Sequence, residues 1–338
     1  MGGTLKCALR TLYEEIAEFR FDYPLTTVPA AGSRESLHYY LFKYDNRPPN
    51  RRVLRLDSNG IAKAWSRTTG EVYNSGVVAR YAMRNLGYYL KSRDHAHLEI
   101  FLKQVDWLEQ NAVIRADGAV LWPHLFDSHE GSTLLRAPWV SSNVQGLVIS
   151  ALVRGWRVTR RPGLLELLRG SARVFELDCA SGGLRVQAGG HVVYADRPGF
   201  AAPGIMDGFM TSLLGLFDLY VETGDTKVHE LFSQGVEGLR YFLPTWDYRK
   251  KWSVYSNRAY LCPPGYHCLN RMLLIVLARL TGDSYFAEYA ENWNPTHLSA
   301  LGRAEIYFAF LFSKNACRLK HRTWLQKTVT TTWQKQDA

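Results

Sequence analysis

The stretch from Trp252 to His267 gathers Tyr255, Tyr260 and Tyr266 with Arg258 and His267, in a connection broken by Pro263, Pro264 and Gly265. Loops carried on a rigid scaffold are where reacting groups usually sit. This one ends where an apolar helical pattern sets in at Cys268. A tyrosine, with a reference pKa near 10, becomes a usable acid or base when a cation beside it favours the phenolate. Arg258, three residues after Tyr255, is positioned to supply that charge. The alternative for each ring is ordinary packing, since the chain holds nineteen tyrosines and an apolar body with a polar tip suits many surfaces.

The remaining chemistry is bounded by what the chain lacks. It shows no nucleophile elbow, no phosphate-cradling glycine loop and no His/Asp metal triad, which leaves proton transfer in preference to acyl or phosphoryl transfer. A proton on the carbon beside a carboxylate is weakly acidic, and its removal requires neutralising the charge that develops on that carboxylate. Two proton-transfer groups on opposite faces of a sugar would epimerise it, whereas the same carbanion expelling a 4-linked sugar would make a lyase. A non-catalytic glycan-binding module is the third reading. Such a carbanion calls for bases and positive charge, so no organic cofactor is implied. No metal ligand set is assigned either, although Asp117 and Asp127 mark acidic spots where a structural cation would fit.

A weak internal repeat of about sixty residues must position these groups. Four times a long helical pattern is followed by a short polar turn and a second helix: Asn74 to Ser92 then His95 to Asn111, Ser141 to Thr159 then Gly163 to Phe175, Ile205 to Thr223 then Thr226 to Phe242, and His267 to Thr281 then Ser284 to Trp293. In the turns, Gly or Pro is expected to stop one helix and Asp, Ser or Thr to cap the next. First helices such as the one starting at Gly208 are apolar nearly all round, and second helices such as Lys227 to Arg240 are amphipathic. That is the pattern of an inner and an outer ring. The expected fold is mainly α, an incomplete (α/α) barrel or toroid of about four helical hairpins, with short β-hairpin links at Val113 to Trp122, Leu184 to Tyr194 and Trp246 to Tyr255. Links and inner-helix starts then share one mouth, which collects Tyr73, Trp139, Gln145, Asp196, Arg197, Asp207, Tyr255, Arg258, Tyr266 and His267. Asp207 also suits a helix N-cap, and Trp139 also suits packing beneath a loop.

Residues 1–70 read as an amphipathic N-terminal helix, from Thr4 to Arg20, and an extended arm with short strands near Tyr39 to Phe42 and Val53 to Leu56. Residues 71–315 are the barrel, closed by an apolar stretch from Ala304 to Phe312, and residues 316–338 are a basic polar tail. A chain of 338 residues that is 46% hydrophobic has enough material for a large core. No run of apolar residues is long enough to span a membrane, and no signal-peptide pattern opens the chain; the compartment is left open. The net charge of +10, with ten tryptophans and nineteen tyrosines, suits a polyanion. Acidic polysaccharide is favoured over nucleic acid, for which no recognition motif is visible. A homodimer is compatible with the sequence, though nothing demands one. Five irregularly spaced cysteines argue against a disulfide framework, with a local bridge between Cys262 and Cys268 left open.

Taken in order, Ala137 to Gly146, Met206 to Asp218, Leu243-Pro244 with Trp252 to Tyr255, and Tyr266-His267 resemble the C-terminal catalytic part of D-glucuronyl C5-epimerases. The resemblance runs from about Tyr73 to Trp293. It implies an isomerase on an (α/α) barrel that converts D-glucuronate to L-iduronate within heparosan or a related heparan sulfate precursor. It further implies that Tyr266 and Asp196 are the acid/base pair, with Tyr255 and Arg258 holding the carboxylate or assisting, and that Tyr73 opens the first barrel helix. From their places at the mouth, Tyr73, Trp139, Gln145, Arg197, Asp207 and His267 are expected to bind substrate. The family's Glu is Asp196 here, the Tyr beside it is Arg197, and its Asn-Gly-Phe is Asp207-Gly208-Phe209.

Overall fold

The computed structural model describes Tyr13, Ile16 and residues 19–21, 54–66, 69–130, 133–199, 202–256 and 260–321. The expected N-terminal helix, except for Tyr13, Ile16 and its end, and the expected strand at Tyr39 to Phe42 lie outside these residues, as do Arg258 and residues 322–338.

The chain is mostly helical. Its helices are α1 (Ser75–Ser92), α2 (His95–Gln110), α3 (Ser142–Thr159), α4 (Pro162–Ser171), the short α5 (Arg173–Glu176), α6 (Met206–Thr223), α7 (Thr226–Phe242), α8 (Pro264–Thr281), α9 (Ser284–Asn292) and α10 (Ala300–His321). Local chemistry fixes most of the ends. The side chains of Asn74, Asp94, Ser141, Asp225 and Asp283 accept backbone N–H groups of the first turns they cap, which satisfies donors the helix cannot use. Gly224 and Gly282 close α6 and α8 in the left-handed region. The first two hairpins do without glycine: Arg93 and Arg160 adopt that conformation instead, at φ of 60° and 56°.

The long helices α1, α3, α6 and α8 pack in that order, each on the next, and each also packs on its own partner α2, α4, α7 or α9. The α3–α6 contact is the most extensive, and its cause is legible in two glycines. A Cβ on Gly146 would fall 2.6 Å from Ser212 Cα, and one on Gly215 would fall 2.5 Å from Gly146 Cα. Backbones therefore touch at this crossing, which no side chain would permit. Beyond it, the same interface buries Arg154 of α3 against Asp218 of α6, 2.5 Å apart and both out of solvent. Burial holds the Asp218 carboxyl well above the usual range even with that guanidinium beside it.

Short antiparallel hairpins connect the helical pairs, joining Val113–Ile114 to Val120–Leu121, Ser128–Glu130 to Thr133–Leu135, Arg185–Ala188 to His191–Tyr194, and Asp247–Tyr248 to Trp252–Ser253. The second of these is a strand pair that the sequence reading omits. Before α1, the strands Leu54–Leu56, Ala62–Ser66 and Gly70–Val72 form one antiparallel sheet. Gln104 of α2 fastens it by accepting from Ala62 N and donating to Gly60 O.

Two boundaries depart from expectation. Helix α8 starts at Pro264, not His267, because a proline at the first helical position has no amide to leave unsatisfied and already has the helical φ. Helix α10 continues past Phe312 to His321, well into the stretch read as a tail. Its Ile306 and Phe310 form a small separate core with Trp252, Leu261, Phe19 and Phe21. This cluster supports the loop after Trp252 from behind. Among the described residues, no helix is long and apolar enough to cross a membrane.

Candidate functional site

The start of α3 holds the site's first carboxylate. Ser142 N donates to Ala195 O and Ser142 Oγ to Tyr194 O, so the strand end at 194–196 is clamped to the helix. Ser141 does two jobs at once: its Oγ accepts from Val144 N as the helix cap and donates to Asp196 Oδ1 at 2.5 Å. The Asp196 side chain then lies over the first turn of α6, where a Cβ on Gly208 would meet its Cγ at 2.7 Å and its Oδ1 at 3.0 Å.

Asp207, beside that glycine, is only 8% exposed. It is the second residue of α6, not its N-cap, which is Ile205. Burial pushes its carboxyl up to about 7, and Asp196 adds to the rise; Arg80 on α1 and the amides of Asp207 and Gly208 oppose it. Arg80 itself is exposed.

Tyr266 sits in the first turn of α8, with 45% of its surface facing the open mouth. Its phenol end is nonetheless crowded by protein, and that desolvation raises its pKa. The charges of Asp207 and Asp196 raise it further, while Arg80 and Arg197 pull it down. One phenol, two carboxyls and two guanidiniums from four separate stretches of chain, α1, residues 196–197, α6 and α8, thus act on one another.

Tyr255 and Tyr260 are joined by a hydrogen bond from Tyr255 N to Tyr260 O at 2.9 Å and by stacked rings with centroids 5.1 Å apart. The Tyr255 ring also meets Tyr266 edge-on at 5.5 Å. Arg197 donates to Ser128 Oγ and lies 5.3 Å over the Trp139 ring. Trp139 is buried, donates to Phe126 O and stacks on His124. It therefore carries Arg197 on its face.

Three expected substrate contacts are engaged elsewhere. His267 is fully buried, its ring stacked on Trp252 with centroids 3.5 Å apart. Its Nε2 meets the Trp293 carbonyl, which can only accept, so Nδ1 is the acceptor for Ser253 N and Ser253 Oγ. Burial lowers this histidine to about 3, leaving a neutral core ring. Gln145 is buried too, and donates to Val120 O and Ser171 O, where it braces α4 against the link strand. Tyr73 is exposed at the sheet, donates to Asp57 Oδ2 at 2.6 Å and packs on Trp107. That hydrogen bond takes it up to about 12, and it packs between the sheet and α2.

No disulfide joins Cys262 to Cys268. Asp127 is bound up with Arg136 and the Ala137 amide, and Asp117 with Arg115. Among the described residues, no three His, Cys, Asp or Glu side chains gather as a metal site requires.

Arg80, Ser141 and Gly208 are contributors that sequence reasoning misses. Ser141 had a visible signal, a serine directly before a long helical pattern. Arg80 had none, since an arginine in an amphipathic helix is usually a solvated charge.

Comparison with known proteins bears on this arrangement. Over 222 residues the chain is 26% identical to a D-glucuronyl C5-epimerase of Caenorhabditis elegans, covering 60% of this chain and 36% of that protein. The chain thus spans about a third of that relative's length. It is 23% identical over 221 residues to an uncharacterised protein of Methanocaldococcus jannaschii, covering 61% of this chain and 71% of the other. Among solved structures, a GH76 mannosidase of Bacteroides thetaiotaomicron aligns over 80% of this chain and 78% of its own at 13% identity and a TM-score of 0.47. The model of the D-glucuronyl C5-epimerase C-terminus matches residues 117–295, just over half of the sequence and the span that holds Asp196, Asp207 and Tyr266. The chain belongs to the D-glucuronyl C5-epimerase C-terminal family.

Proposed function

We propose that the protein is a carbohydrate epimerase that turns D-glucuronate into L-iduronate within a heparosan-like acidic polysaccharide, on an incomplete (α/α) barrel of four hairpins. The observation that carries this reading is the convergence of Tyr266 with the Asp196 and Asp207 carboxyls beside Arg80 and Arg197.

In this reaction a carboxylate at Asp196 takes the C5 proton, and the electron pair moves into the substrate's own carboxyl group. Arg80 and Arg197 neutralise the charge that builds there, with Arg258 joining them by family likeness. Charge held in a partly desolvated mouth is stabilised more than in water. Tyr266 returns a proton to the other face. Its raised pKa keeps the phenol protonated at neutral pH, which fits a donor. The phenolate left behind and the protonated carboxyl then reset through solvent. Tyr255, edge-on to Tyr266, keeps that ring oriented. The exposed Arg80 and the net positive charge match a polyanionic chain.

Incubating the protein with heparosan in deuterated water tests the reading by proton NMR. Deuterium at C5 together with new iduronate signals is the expected result. Absence of C5 exchange on heparosan and on other polyuronates would overturn it, and an ultraviolet-absorbing unsaturated product would mark a lyase instead.

A further inference from the structure

Asp207 and Asp196 come from distant stretches of chain, yet the structure brings them to one spot by specific means. The space that a side chain at position 208 would occupy is filled by the Asp196 carboxyl. Ser141 holds that carboxyl there by donating to Oδ1. Asp207, the next residue along, is buried in the same first turn of α6. The groups facing it are Asp196 from the 194–196 strand end, Arg80 from α1, Tyr266 from α8 and the Cys262 thiol from the segment before α8. Arg197 also reaches this group through Tyr266. Arg80 is exposed and acts on both Asp207 and Tyr266, unlike Arg154, which is fully buried beside Asp218.

We propose that Asp207 is a second proton-transfer residue of this site, acting beside Asp196. The inference rests on the epimerase reading and deepens it. A carboxylate lying beside a buried carboxyl disfavours ionisation of the buried one. The upward shift of Asp207, to which Asp196 contributes, agrees with this.

Ionised, Asp207 accepts the C5 proton as a stronger base than an ordinary carboxylate, because burial and the neighbouring Asp196 raise its pKa. The C5–H bond breaks, one carboxyl O–H forms, and the electron pair enters the substrate's carboxyl group. Tyr266 supplies the proton to the other face, and Asp207 later releases its own to water.

The test titrates the full chain with 13C-labelled aspartate carboxyls by NMR, as wild type, Asp196→Asn and Asp207→Asn, and records C5 deuterium exchange on heparosan against pH for wild type and Asp207→Asn. The expected wild type has one carboxyl titrating near 7, missing in Asp207→Asn and lowered by more than about one unit in Asp196→Asn. The acid limb of exchange is expected near the same pH in wild type. In Asp207→Asn it should fall below about 5, with a plateau about tenfold lower. A carboxyl midpoint that ignores Asp196→Asn would overturn the action of Asp207 beside Asp196. An acid limb that stays in place in Asp207→Asn would overturn its part in proton transfer. An Asp207 that titrates as expected in a protein without C5 exchange would instead sink the epimerase reading beneath it. Both substitutions are isosteric, and near-ultraviolet circular dichroism confirms that each variant is folded.

Discussion

Helix α6 carries two buried aspartates, Asp207 and Asp218, and their fates differ. Eleven residues are close to three full turns, so both lie on one face of the helix. Burial raises both carboxyls. Asp218 spends its charge on Arg154, inside an interface closed by the Gly146–Gly215 crossing. Asp207 sits at the open end, beside a second carboxyl, near an exposed arginine and within reach of a half-exposed phenol. Burial alone therefore does not make a reactive carboxyl. The same helix supplies an enclosed carboxyl and one beside further charged groups because its two ends are packed differently.

The largest effect separating these regions should come from Tyr266→Phe. Deleting one hydroxyl at the open end should lower C5 exchange by about a hundred- to ten-thousand-fold, with the melting temperature unchanged. Arg154→Leu should do the reverse. Leaving Asp218 buried without its cation should cost about 3–5 kcal/mol in urea unfolding, with exchange per folded molecule kept.

Asp207 gives a pH signature of its own. Its folded pKa of about 7 lies above the ordinary 3.8, so the native state keeps a proton that the unfolded chain has released. Stability from this group is therefore present at low pH and declines as pH rises from about 4 to about 7. The loss amounts to about 4 kcal/mol if the whole shift is expressed. Asp207→Asn lacks that decline, so urea midpoints should show it more stable than wild type at pH 8 and level with it near pH 4. A smaller loss is expected for His267→Asn. Breaking the buried contacts to Ser253 and Trp293 should cost about 1–3 kcal/mol, again without a specific fall in exchange. A collapse of activity in a stable His267→Asn protein would return that ring to the site.

The hairpins were readable because their signals are local. Asp94, Asp225 and Asp283 stand directly before the helices they cap, and the apolar period gives each helix its length. The start of α8 was not readable in the same way, since Pro263-Pro264-Gly265 looks like a chain break until the first-turn tolerance for proline decides it. Side-chain destinations depend on distant partners. His267 is satisfied by Ser253 and Trp293, 14 and 26 residues away, and Gln145 by carbonyls 25 and 26 residues away, so residue type alone suggested a site for both. Asp196, Asp207 and Tyr266 were legible as candidates from family resemblance and from their nearness to inner-helix starts. Their apposition was not, because it depends on a missing Cβ at Gly208 and on Ser141 turning its hydroxyl toward Asp196. Arg80 belongs with them only once α1 is packed in its row.

The most direct test sets the two aspartates of α6 against each other. Asp207→Asn and Asp218→Asn would be compared for C5 deuterium exchange on heparosan per folded molecule at pH 7.5, a value chosen to lie just above the transition at about 7, and for unfolding free energy in the same buffer. The account predicts reduced exchange and undiminished stability for Asp207→Asn, and wild-type exchange with reduced stability for Asp218→Asn. Undiminished exchange in Asp207→Asn, or a specific loss of exchange in folded Asp218→Asn, would contradict it.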